Sequence, residues 1–159
     1  MKRSIAILVS IFIAAAVFGS GSGGGGGMGG GASSSSSSQP TAVDKYNTGY
    51  ALWNKGKYAE AAPYFAEAIS MKSDYAEAYN MLGFCTRMAG DLPKAISYYE
   101  TALKLKPNFP EAREYFGETW LKQGNLAKAV QQYVILHKAR SRSADELLEK
   151  ISDYVDQQM

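Results

Sequence analysis

Few residues in this chain could do chemistry, and their spacing assembles no catalytic set. His137 is the sole histidine. With no second imidazole to share a metal or relay a proton, it reads as a packed or half-exposed helix residue. Cys85 is the sole cysteine, so no intramolecular disulfide can form. In an apolar stretch such a thiol packs as a small apolar group. Glu111, Glu114 and Glu118 could in principle divide general acid and base roles between them. Their i, i+3, i+7 spacing instead sets them along one open helix face, as a solvated or partner-facing stripe. No phosphate-cradling loop, nucleophile elbow or metal-ligand spacing is present. The sequence therefore predicts a non-enzymatic protein with no catalytic, cofactor-binding or metal-binding residues.

The elements that would position any binding residue recur at a constant interval, about 34 residues. Gly49, Gly83 and Gly117 fall in register, as do Gly56, Gly90 and Gly124. Ala61, Ala95 and Ala129 form a third column, and Phe65, Tyr99 and Tyr133 a fourth. The middle copy explains each column. Gly83, on a first helix, leaves room for a second helix, with Ala95 as the small residue facing it. Gly90 can take the left-handed conformation that ends the first helix. Asp91 follows as an N-cap and Pro93 sits in the next first turn. Tyr99 is a wedge between neighbouring repeats, and Pro107 stops the second helix. The predicted helices run over about 43–55, 58–71, 75–89, 92–105, 110–123 and 126–139. Pro63 falls inside the second of them, where it removes one backbone hydrogen bond.

This pattern resembles the tetratricopeptide repeat (TPR) family over residues 42–141. The middle repeat matches best, with Leu82-Gly83, Ala95, Tyr99, Ala102 and Pro107. The first repeat departs at Ser73, where proline is usual, and the third at Leu136, His137 and Ser141. The resemblance implies an all-α fold, an α-solenoid of three TPR helix–turn–helix repeats at 41–75, 76–109 and 110–142. A C-terminal capping helix follows at 143–159. In that segment Ser143 to Glu146 forms a candidate capping box. Leu147, Leu148, Ile151, Tyr154 and Val155 recur at helical spacing to pack on the last repeat. A partner-binding or dimerising helix is the alternative.

The N-terminus has a different composition. Met1-Lys2-Arg3 precedes an apolar run from Ile5 to Phe18, broken only by Ser10, and small residues follow. Residues 1–20 therefore read as a signal peptide, cut after Gly19 or Gly21. The run is shorter than the roughly 20 residues a spanning helix needs, though an uncleaved anchor is the alternative. Residues 21–40 are a Gly/Ser-rich linker with no apolar surface to bury. The net charge of +2 is supplied by Lys2 and Arg3, so the remainder is balanced and no basic patch points to nucleic acid. Export to the periplasm, within a bacterial envelope, is the simplest expectation. Anchorage to the inner membrane is the other.

The resemblance also implies that the first helix of each repeat lines a concave groove. Here that groove would hold Tyr46, Tyr50 and Trp53, then Asn80, Phe84 and Arg87, then Glu111, Glu114 and Glu118. Relatives that clamp a C-terminal carboxylate use lysine, asparagine and arginine at set positions. Those positions hold Tyr46, Tyr50, Met81, Glu111 and Tyr115 here, so such a clamp is not expected. The groove would grade from aromatic to acidic and take a peptide with apolar anchors followed by a basic residue. The expected role is a scaffold or adaptor with a protein or peptide partner. A membrane-anchored assembly factor and a self-associating structural protein are the alternatives.

Overall fold

A computed structural model describes residues 39–159. The expected leader at 1–20 and nearly all of the 21–40 linker lie outside the described residues. Within the described part the helices are α1 Ala42–Asn54, α2 Tyr58–Met71, α3 Ala76–Met88, α4 Leu92–Leu105, α5 Pro110–Lys122, α6 Leu126–Lys138 and α7 Ser143–Asp156. Packing is predominantly between neighbours in sequence, with α7 resting on both α5 and α6. This is an all-α solenoid.

The local signals act as read. Thr41 and Asp44 form a reciprocal capping box on α1. The Asp91 side chain accepts from the Lys94 N–H to start α4, and one repeat on Asn125, not singled out in the sequence, accepts from the Lys128 N–H to start α6. Gly56, Gly90 and Gly124 have φ of +74°, +90° and +81°, the left-handed cap that closes the first helix of each repeat. Ahead of Pro107, Lys106 leaves the helix with φ −134° and ψ 85°. α2 runs through Pro63 without a break.

Packing corrects the expected partner of Gly83. Its nearest neighbour is the Tyr99 ring, not Ala95: a Cβ there would lie 3.0 Å from Tyr99 Cε1. Gly49 meets Phe65 in the same way. Tyr99 is completely buried and also touches the Phe116 ring of the next repeat, 6.0 Å away. It is thus both partner to the glycine and wedge between repeats.

The third repeat breaks the rule. By register Gly117 should meet Tyr133, but it meets Leu147 of α7, whose Cδ2 is 2.5 Å from where a Cβ would stand. Tyr133 is left half-buried against His137. The turn between α6 and α7 explains this. Arg140 adopts φ +52°. The Arg140 and Ser141 N–H groups donate to the His137 and Leu136 carbonyls, the pairing that Gly124 and Asn125 make with Leu121 and Trp120. The chain therefore repeats the tight turn used inside each hairpin, where proline ends the preceding repeat. That turn swings α7 onto α5.

The same turn cancels the expected Ser143–Glu146 capping box. The N-cap is Arg142, with no side-chain cap, and Ser143 is buried in the first turn. The stripe on α7 also divides. Leu147 and Ile151 are buried with Trp120 and Leu121, while Leu148 and Val155 are exposed.

Candidate functional site

The first helices of the three repeats carry a continuous run of rings. On α1, Tyr46 and Tyr50 stack at 6.0 Å and Tyr50 and Trp53 at 5.4 Å. Trp53 meets Phe84 of α3 edge-on at 5.4 Å, and Phe84 meets Tyr115 of α5 edge-on at 5.1 Å. Tyr75 closes the other end, 5.1 Å from Tyr46. Edge-to-face and offset pairs at these distances are mutually attractive. The run is a packed floor, and exposure sorts its members. Tyr50 is exposed, and Phe84 and Tyr115 are half-buried. Tyr46 and Trp53 are also half-buried and belong partly to the core beneath. Burial raises the Tyr46 phenol, and pushes that of Tyr115 up to about 12.

The polar residues expected beside these rings are placed differently. Asn80 and Arg87 are buried, at 3% and 5% exposure. Arg87 lies over the faces of Phe84 and Tyr115, 4.8 and 5.7 Å from their centroids. It forms an ion pair with Glu118, and the buried Tyr99 hydroxyl comes up beside it. The cation is thus spent on holding α3 to α5. Among the described residues, Asn80 Oδ1, Trp53 Nε1, Arg87 Nε and the Tyr99 hydroxyl are buried without a hydrogen-bond partner.

The expected acidic end is not an open face. Glu111 is exposed, but Glu118 is engaged by Arg87 and Glu114 is only 8% exposed beneath α7. Burial raises the Glu114 carboxyl, and the carboxyls of Glu146 and Glu118 push the same way, against the Ser143 hydroxyl. The gradient from aromatic to acidic fails because α7, swung inward by the Arg140 turn, covers the middle of the glutamate stripe.

The residues that could carry chemistry are quiet. Cys85 is buried, and its thiol is pushed up to about 12 by burial. Among the described residues no cluster of His, Cys, Asp or Glu could hold a metal ion. No described helix is long and apolar enough to cross a membrane.

Three contacts between the first helices of successive repeats follow one interval. Trp53 to Phe84, Phe84 to Tyr115 and Arg87 to Glu118 are each 31 residues apart, one helical turn less than the repeat. This diagonal is what identifies Tyr115 as a member of the run, which alignment at the full repeat length passes over.

The sequence matches family models described as tetratricopeptide repeat over residues 46–110 and again over 86–151. The chain belongs to the tetratricopeptide repeat family. No curated protein sequence matches it closely. Solved TPR structures share its fold. The TPR2B domain of yeast Sti1, solved as a complex with pHsp70, superposes with a TM-score of 0.66 at 18% identity, over 73% of this chain and 97% of that one. The Yersinia enterocolitica type III secretion chaperone SycD, in complex with a peptide of the translocator YopD, gives 0.64 at 21% identity, over 76% and 93%. The first TPR of Spaghetti (RPAP3), bound to an HSP90 peptide, gives 0.64 at 19% identity, over 73% and 94%.

Proposed function

We propose that this TPR chain is a non-enzymatic interaction module that binds a peptide segment across α1, α3 and α5. The observation that carries this reading is the run of rings crossing all three repeats, with Tyr50 and Phe84 at its surface. Aromatic side chains give large contact area at low entropic cost and are frequent hot spots. That solved TPR relatives hold peptides supports the same class of ligand.

The ligand takes apolar or aromatic anchors. A basic residue after them is not required, because Glu114 is buried and Glu118 is already paired. The N-terminal apolar run supports an exported, periplasmic scaffold of an envelope complex, and its shortness favours cleavage over anchorage. The experiment is affinity purification of the full chain from its own envelope beside Tyr50→Ala and Phe84→Ala variants that remain helical. Loss of one partner from both variants supports the groove; its retention in both moves the interface elsewhere. Mass spectrometry of the native N-terminus decides between a cleaved leader and an anchor.

A further inference from the structure

α6 and α7 each carry apolar side chains that the described residues leave partly open. Val130 and Val134 on α6, one helical turn apart, are 37% and 39% exposed. Leu148 and Val155 on α7, two turns apart, are 44% and 36% exposed. The repeat itself does not demand them. One and two repeats earlier, Val134 is replaced by Glu100 and Ala66. Val130 corresponds to Ile96 and Ala62, which are half-buried against neighbouring core residues. Val130 therefore occupies a stacking position that is left more open than in the earlier repeats, and Val134 adds a second exposed valine one turn on.

The charges along this part of the chain are segregated. From residue 119 to 144 there is no acid, while Lys122, Lys128, Lys138, Arg140 and Arg142 are all basic. From Asp145 to Asp156 there are five acids and only Lys150 to oppose them. Among the described residues, one ion pair joins the two sets, Arg142 with Glu146 at 3.5 Å, with both side chains well exposed. His137, Lys138, Arg140 and Arg142 line a cleft at the α6–α7 turn in which Asp145 is the one acid. The opposite charges lie side by side and are hardly used on each other.

We propose that this face pairs with a second copy of the chain, α6 of each copy lying against α7 of the other. A two-fold interface must be complementary to itself. A face that is half basic and half acidic, with apolar residues on both halves, meets that condition. A foreign partner of a single charge sign would be repelled by one half.

The test is sedimentation equilibrium of the full chain from about 1 µM to about 1 mM, where weak association is visible. The expected result is a monomer–dimer equilibrium that weakens as salt rises. Val134→Lys and Leu148→Glu, at exposed positions, should each weaken it about tenfold or more while the circular dichroism stays unchanged. A charge-swap experiment fixes the pairing. Lys138→Glu with Arg140→Glu nearly neutralises the basic half, and Glu149→Lys with Asp156→Lys neutralises the acidic half. Each double variant alone should dimerise more weakly than the wild type, and a mixture of the two, which sets an intact basic half against an intact acidic half, should associate more tightly than either alone. The proposal is overturned if the wild type stays monomeric, if it grows beyond a dimer, or if Val134→Lys and Leu148→Glu leave the dimer intact. It is equally overturned if the mixed variants associate no more tightly than either alone. Peptide binding to the ring face should survive in all these variants, so the outcome is independent of the proposed groove.

Discussion

Leu147 of α7 fills the notch at Gly117 that Phe65 and Tyr99 fill at Gly49 and Gly83. Leu147 is fully buried, and its Cδ2 and Cδ1 would lie 2.5 and 2.8 Å from an added Cβ. Replacing Gly117 by alanine gains about 1 kcal/mol of helix propensity. Overpacking against a locked side chain costs about 1–3 kcal/mol. The clash should win, and urea denaturation should show net destabilisation for Gly117→Ala. Leu147→Ala alone should lose about 2–5 kcal/mol. In the double variant the new methyl group occupies part of the vacated space, so the two losses should not add.

Docking of α7 should depend on pH through Glu114. Its carboxyl is pushed up to about 8, chiefly by burial. A carboxyl whose folded pKa is raised takes up protons on folding. Its contribution is full below the unfolded value near 4.5 and is lost as pH rises through about 8. Amide exchange in α7, corrected for intrinsic rates, should therefore indicate weaker docking at pH 9 than at pH 6. Glu114→Gln, neutral throughout, should flatten the dependence; a wild-type profile in that variant would assign it to another group.

The Arg87–Glu118 pair ties α3 to α5 at a mostly buried position. Removing one partner leaves the other charge uncompensated. Glu118→Leu should therefore destabilise by about 3–5 kcal/mol, or less in so far as the remaining exposure of Glu118 lets water in. Replacing both, Arg87→Met with Glu118→Leu, should recover most of the loss. A thermodynamic cycle on the two singles and the double measures this directly.

Arg140 is a non-glycine residue in a left-handed turn. Arg140→Gly should stabilise the chain by up to about 1 kcal/mol, since the strain relieved exceeds the extra entropy glycine loses on folding. A fall in the denaturation midpoint would mean that the arginine side chain holds the turn.

Much of the fold was legible because it repeats. Glycines in register, the cap at Asp91 and the stop at Pro107 are local signals, and local structure obeyed them. The site was less legible. Aligning repeats places residues on the same helix position but not against one another, so Arg87 and Glu118 read as two free charges when they form one pair. The position of α7 depended on the conformation of Arg140, a residue with no sequence preference for the left-handed region. Burial of Glu114 and loss of the Ser143 cap both followed from that one turn.

The burial is uneven along the stack. α1 buries Gly49 alone, whereas α3 buries eight residues and α5 seven. In a solenoid each unit is held only by its neighbours, so the end with least buried surface opens first. The helix that carries Tyr46, Tyr50 and Trp53 is thus the one closest to unfolding in the free protein. A ligand seated on those rings would hold α1 down, and part of its binding energy would be spent on ordering. Occupancy of the ring face should then register as slowed hydrogen exchange in α1, while α3 and α5, already protected, change little.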